Sequence, residues 1–132
     1  MRVGVLTGGG DCPGLNAVVR GIVSARDPDT EIFGFMNGWQ GTLDGEYVHL
    51  TDEDVEGIHI LGGTILGTSR TNPFKKEADT RKMFDTLAKL KIDALIAIGG
   101  DDTLSVAAKM TAYHFPVVGL SLIHISEPTK PY

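Results

Sequence analysis

Two glycine-rich segments carry aspartates at points where an apolar run gives way to a helical pattern: Gly8-Gly9-Gly10-Asp11 and Gly99-Gly100-Asp101-Asp102. Glycines let a ligand touch the main chain, and amide N–H groups opening a helix converge on an anion whose charge the helix dipole favours. Phosphate chemistry is therefore the first reading of both. Two common phosphate loops fail on inspection of the first segment. The dinucleotide pattern begun at Gly8 needs a glycine where Pro13 stands, and begun at Gly9 it meets Asp11; the Walker pattern begun at Gly9 reaches Gly14, but Leu15-Asn16 occupy the places of its Lys and Ser/Thr. A tight strand-to-helix turn with no ligand is the alternative. In the second segment, Asp101 and Asp102 would repel a phosphate unless a cation intervened, and Mg2+ is a hard ion that uses one or two carboxylates together with phosphate oxygens. The same two acids could instead cap a helix at Thr103.

Between these segments lies a polar loop with Ser69, Arg70, Thr71 and Asn72. Taken alone, Arg70 is an ordinary surface charge. The single cysteine, Cys12, has no histidine nearby and reads as a packing thiol, while His49, His59 and His114 lack metal-ligand spacing.

The elements that must position these residues follow from the apolar pattern. Val3 to Leu6 reads as a buried strand, and Leu15, Val18, Val19 and Ile22 recur at helical spacing. Glu31 to Phe35 is a second strand after the Asp27-Pro28-Asp29 turn. Thr51-Asp52-Glu53-Asp54 has the look of a helix start leading into Val55, Ile58 and His59, stopped by Gly62-Gly63. A helix is predicted from about Ala78 to Leu90, with Met83, Phe84, Leu87 and Leu90 on one stripe. Ala94 to Ile98 is a strand, a helix begins near Thr103, and Val117 to Leu120 is one more buried strand. Strict alternation of strands and helices predicts an α/β fold with a doubly wound, mostly parallel sheet, in which ligands sit beyond the carboxyl ends of the strands.

The 132 residues suit one domain or a piece of a larger one. A formal charge of −5 with scattered basic residues disfavours nucleic acid as a partner. No apolar stretch reaches the roughly 18 residues needed to span a bilayer, and no signal peptide is evident, which points to a soluble cytoplasmic protein. Trp39 and Phe33 read as core or loop anchors.

"GVLTGGGDCPGLNAVVRG" at Gly4 to Gly21, "GGTILGTSRTNP" at Gly62 to Pro73 and "IGGDDTL" at Ile98 to Leu104 resemble, in order and separation, the N-terminal segment of the 6-phosphofructokinase family. The likeness covers roughly residues 1 to 120, an incomplete Rossmann-like donor-binding domain. The resemblance implies that Gly9 and Gly10 lie against the donor phosphates. It implies that Arg70 and Thr71 reach the phosphoryl donor, Arg70 neutralising transition-state charge, and that Gly100, Asp101, Asp102 and Thr103 form a second donor loop with Asp101 on Mg2+. The implied reaction moves a phosphoryl group from diphosphate or ATP to the 1-hydroxyl of fructose 6-phosphate, in a full-length protein that is a homo-oligomer. Such transfer needs neutralised charge and oriented donors more than covalent chemistry.

Asp102 departs from the pattern of ATP-using members, which typically carry glycine there. An aspartate puts bulk and negative charge where the α-phosphate of a nucleotide would lie, and diphosphate has no such group. The resemblance thus tilts toward the diphosphate-dependent type, although relatives with an acid at this position can use ATP.

After Leu120 the family continues into Pro-x-Thr-Ile-Asp-Asn-Asp, whose first aspartate is the base for the sugar hydroxyl. Here residues 121–132 read SLIHISEPTKPY, which resembles translated sequencing-adapter read-through. The expectation is an N-terminal fragment with an unrelated tail at 121–132, inactive as it stands; a divergent C-terminus is the alternative. His124, between two isoleucines, reads as incidental rather than as a replacement base. Loss of a general base removes on the order of 100- to 10,000-fold in rate. Two rivals remain: a kinase of the wider GGDGT type acting on NAD or a lipid, which would lack the first loop, and a non-catalytic phosphate-binding module.

Overall fold

A computed structural model describes residues 1–8, 15–58 and 64–121. Within these, the strands are β1 (Arg2–Thr7), β2 (Glu31–Phe35), β3 (Tyr47–Leu50), β4 (Ala94–Gly99) and β5 (Val117–Ser121). The helices are α1 (Leu15–Ala25), α2 (Trp39–Asp44), α3 (Glu77–Lys89) and α4 (Asp101–Ala112). The sheet order is β3-β2-β1-β4-β5, parallel except for β3.

Period-two alternation sends Val3 and Val5 of β1 to one face and Leu6 to the other, and both faces are covered. On the first face Val3 and Val5 pack with Leu15, Val19 and Val23 of α1 and with Leu66. On the second, Leu6, Phe35, Leu95 and Ala97 pack with Trp39 and Leu43 of α2, Met83 and Leu87 of α3, and Val106 and Met110 of α4. The buried positions of α1 step by four, Leu15, Val19 and Val23, with Val18 and Ile22 partly buried at its flank. Burying a side chain of the size of Leu87 or Met83 stabilises by about 1.5–3 kcal/mol each.

From β1 the chain runs through α1 to β2 on one side; from β4 it runs through α4 to β5 on the other. The order therefore reverses between β1 and β4, and the carboxyl ends of these two neighbours form the crevice where such sheets bind ligands. Thr7 pairs with Ile98 at that edge, and the Gly8 N–H donates to the Ile98 carbonyl at 2.7 Å.

Two sequence expectations need correction. Strand–helix alternation is not strict: the short α2 leads into β3, which returns antiparallel to β2. The two-residue turn Gly45-Glu46 after a six-residue helix leaves no length for a crossover, and Gly45 closes α2 in the left-handed region at φ 70°. Thr51 to Ile58 forms a run of turns with Asp54→Thr51, Glu56→Glu53 and Ile58→Val55 main-chain bonds instead of a regular helix. Its start signal is nonetheless present, because the Asp54 carboxylate accepts from both the N–H and the hydroxyl of Thr51 at 2.8 Å. His59 and Gly62-Gly63 lie outside the described residues, as do Cys12 and His124.

Candidate functional site

A cleft of about 610 Å3 opens at the carboxyl end of β4, lined by Trp39, Ser69, Arg70, Thr71, Asn72, Lys75, Gly100, Asp101, Asp102, Thr103, Ser105 and Val106. Its back wall is the start of α4. Gly100 precedes the helix in extended conformation without a side-chain cap, so the first-turn N–H groups are left to other partners. Asp101 and Asp102 sit inside that first turn, where each complements the dipole by about 0.3–1 kcal/mol. Neither is a cap: the helix opens at Asp101, two residues before the expected start at Thr103, which moves both acids past the capping position.

Thr103 fixes why the two glycine segments meet here. A Cβ at Gly8 would fall on the Thr103 hydroxyl, and one at Gly99 would stand 2.7 Å from the Thr103 Cβ. The tip of β1, the tip of β4 and the first turn of α4 can approach only because positions 8 and 99 have no side chain. At Gly100 a Cβ would meet no atom within 4 Å, so that position borders open space.

The opposite wall is the loop from Thr64 to Lys75, held from both sides. Thr7 Oγ1 shares a 2.8 Å hydrogen bond with Thr64 Oγ1 and donates to the Gly67 carbonyl at 3.0 Å. Buried Asn16 accepts from the Ile65 N–H at 2.8 Å. Leu66 plugs the core on the α1 face, and its carbonyl accepts from Asn37 N–H at 2.7 Å. The Ser69 hydroxyl donates to the Asn37 carbonyl and the Thr71 hydroxyl to Gln40 Oε1, both at 2.6 Å. Asn37 and Gly38 both have positive φ, which turns the chain sharply beneath this loop.

Arg70 is exposed and makes no ion pair among the described residues. Lys75 stands on the same wall, set by an Asx turn in which Asn72 Oδ1 accepts from Phe74 N–H at 2.9 Å. The cleft thus opposes two cations to two carboxylates. It carries no net positive charge of its own, so a polyanion would need a cation brought with it.

Arg70, Thr71, Gly100, Asp101, Asp102 and Thr103 are accordingly assembled in one cleft. Gly9 and Gly10 lie outside the described residues, and Gly8 is the nearest described point to them. The sequence reading missed Lys75 and Trp39. Lys75 could have been found from its place three residues after Asn72 in the same loop. Trp39 is buried, and its indole N–H has no hydrogen-bond partner among the described residues. The six-residue helix that carries it contains Gly41, is flanked by Gly38 and Gly45, and has no legible period. Among the described residues no group of three or more His, Cys, Asp or Glu could hold a metal ion, and no helix is long and apolar enough to cross a membrane.

Comparison with known proteins identifies the family and the fold. The family described as Phosphofructokinase matches residues 2–122. The chain is 55% identical over 121 residues to a pyrophosphate–fructose 6-phosphate 1-phosphotransferase of Dictyoglomus thermophilum, covering 91% of this chain and 35% of the relative. It is 43% identical over 122 residues to ATP-dependent 6-phosphofructokinase 3 of Streptomyces coelicolor, covering 91% of this chain and 36% of the relative. The crystal structure of Pichia pastoris phosphofructokinase in the T-state superposes with a TM-score of 0.80 at 27% identity, over 91% of this chain and 16% of that one. The chain spans about a third of the length of the curated relatives it matches. With a family match over residues 2–122 and a shared fold, the chain belongs to the phosphofructokinase family.

Proposed function

We propose that this chain is the donor-binding part of a cytoplasmic phosphotransferase that moves a phosphoryl group from diphosphate to the 1-hydroxyl of fructose 6-phosphate. The observation that carries the proposal is the cleft between two adjacent strand tips, where Arg70 and Thr71 face the uncapped start of α4 and its Asp101-Asp102 pair. In this reading Arg70 neutralises charge on the moving phosphoryl group, Lys75 assists it, and the first-turn amides of α4 with Gly9 and Gly10 cradle the donor. The full-length protein acts as a homo-oligomer.

The two carboxylates fit Mg2+. Neither takes part in an ion pair or hydrogen bond among the described residues, both are exposed to the cleft, and this ion keeps several waters and needs few protein ligands. Asp101 would hold it, and Asp102 would stand beside it. The ion supplies charge neutralisation on the donor oxygens when bound.

Diphosphate is favoured over ATP because Asp102 adds a negative charge to the wall along which a nucleotide would extend. The 55% identity to a pyrophosphate-dependent relative against 43% to an ATP-dependent one supports the same choice. In this reading the acceptor-sugar site and the catalytic base are supplied by further parts of a full-length protein. The family match runs through residue 122 and Ser121 lies in β5 paired with Gly99, so the reading of an unrelated tail applies to the residues after 122.

Titration with diphosphate, ATP and NAD in the presence of Mg2+ tests the proposal. Preferential binding of diphosphate supports it. An NAD preference would favour a kinase of the GGDGT type, and turnover with fructose 6-phosphate would show that the segment after Leu120 replaces the missing base.

A further inference from the structure

Thr71 and Gln40 are joined by a hydrogen bond whose direction has a consequence for the cleft. Gln40 lies in the first turn of α2, and its Nε2 is 3.1 Å from both Oδ1 and Oδ2 of Asp44, one turn along the helix. An ionised carboxylate only accepts hydrogen bonds, so the amide must turn its NH2 toward Asp44 and its carbonyl oxygen away from it. That oxygen, Oε1, meets the Thr71 hydroxyl at 2.6 Å. Facing an acceptor, the hydroxyl has to donate, and a hydroxyl has one proton to give. The Thr71 side chain therefore has no proton left for a phosphate oxygen in the cleft. The Thr71 main-chain N–H, by contrast, takes no partner among the described residues.

We propose that Gln40, oriented by Asp44, is a positioning residue of the cleft. It fixes the loop carrying Arg70 and Thr71 through the Thr71 hydroxyl, and Thr71 offers the donor its main-chain N–H instead of its side chain. The proposal rests on the donor-binding reading for the last step only. The Asn37 contacts of Ser69 and Leu66 hold the earlier part of the loop, and the Gln40 bond is the one among the described residues that reaches Thr71 itself.

The test uses the whole 132-residue chain and the variants Gln40→Leu, Thr71→Val, their combination, and Thr71→Ser, with thermal unfolding to confirm that each is folded. Hydrogen exchange of the hydrogen-bonded loop amides of Phe74 and Lys75, measured without ligand, should quicken by about two- to tenfold in Gln40→Leu, the range of one neutral hydrogen bond. Thr71→Val should match it, the double variant should add nothing, and Thr71→Ser should restore the parent rate. In titrations with inorganic diphosphate and Mg2+, Gln40→Leu and Thr71→Val should weaken binding by the same factor. Unchanged exchange in Gln40→Leu would overturn the positioning role. A loss in Thr71→Val at least tenfold beyond that in Gln40→Leu would show that the hydroxyl contacts the donor directly, and would overturn the main-chain assignment. If the parent fails to bind diphosphate, the donor reading fails while the exchange result still decides whether Gln40 holds the loop.

Discussion

Gly8 and Thr103 interlock: the Cβ of any other residue at position 8 would occupy the space of the Thr103 hydroxyl. The contact joins the tip of β1 to the first turn of α4, and with Gly99 packed on the same threonine it sets how closely the two phosphate-loop candidates approach. A glycine whose place in the sequence suggested ligand contact or a tight turn is here required by protein packing.

Gly8→Ala should therefore destabilise the fold by about 1–3 kcal/mol, the cost of overfilling a packed site. Thr103→Ala in the same chain should recover much of that loss, since the clashing hydroxyl is gone. Urea unfolding of the two single variants and the double variant gives the coupling. Additive losses would mean that Gly8 and Thr103 act independently.

Arg70→Ala should weaken diphosphate binding by roughly 10- to 150-fold, as expected for a charge-assisted hydrogen-bonding group. Arg70→Lys should recover only part of it, because an ammonium keeps the charge and loses the planar fork. Calorimetric titration in Mg2+ measures both. Equal affinity in all three proteins would return Arg70 to the ordinary surface charge that it resembles in isolation.

Asp102→Gly should shift preference toward ATP by roughly two- to fivefold relative to diphosphate, the range of one solvent-screened charge interaction. Asp101→Asn should instead weaken Mg2+-dependent binding of both. Paired titrations with the two donors separate these effects, and an unchanged donor ratio in Asp102→Gly would remove Asp102 from donor choice.

Asp54 gives the fold a pH dependence of its own. The main-chain N–H of Thr51, and then its hydroxyl, hold the carboxyl below its ordinary value of 3.8. A depressed folded-state value stabilises the fold above the ordinary value, and that contribution disappears as pH falls through 3.8 and on through the lower folded value. Urea midpoints measured from neutral pH downward should fall along this limb in the parent and less steeply in Asp54→Ala. Parallel curves would show that the Thr51 contacts do not stabilise the ionised form.

The parts of this molecule legible in the sequence are those with a single dominant signal. The apolar runs of β1, β2 and β4 are largely buried strands, whereas the run at β5 forms a strand but lies at the sheet edge with Val118 exposed, and the α3 stripe of Met83 and Leu87 is placed to within a residue at each end. Arg70, Thr71 and the Gly100 to Thr103 segment were named from motifs and share a cleft. What escaped has competing signals. The strand β3, Tyr47–Leu50, is an edge with three exposed residues and no burial pattern. The Thr51 start carries a sound capping arrangement but is followed by turns, because local capping does not by itself supply a packed helix. Trp39 reaches the cleft through tertiary packing that no local spacing encodes.

The site is tested most directly by recording amide chemical shifts of the isotopically labelled chain as diphosphate and Mg2+ are added together. Perturbations should concentrate at Thr71 and at Gly100 to Thr103, require the metal ion, and vanish in Arg70→Ala. Shifts confined to the groove between α2 and α3 around Leu43, Lys82 and Lys89, or no shifts at all, would contradict a diphosphate site at the β1 and β4 tips.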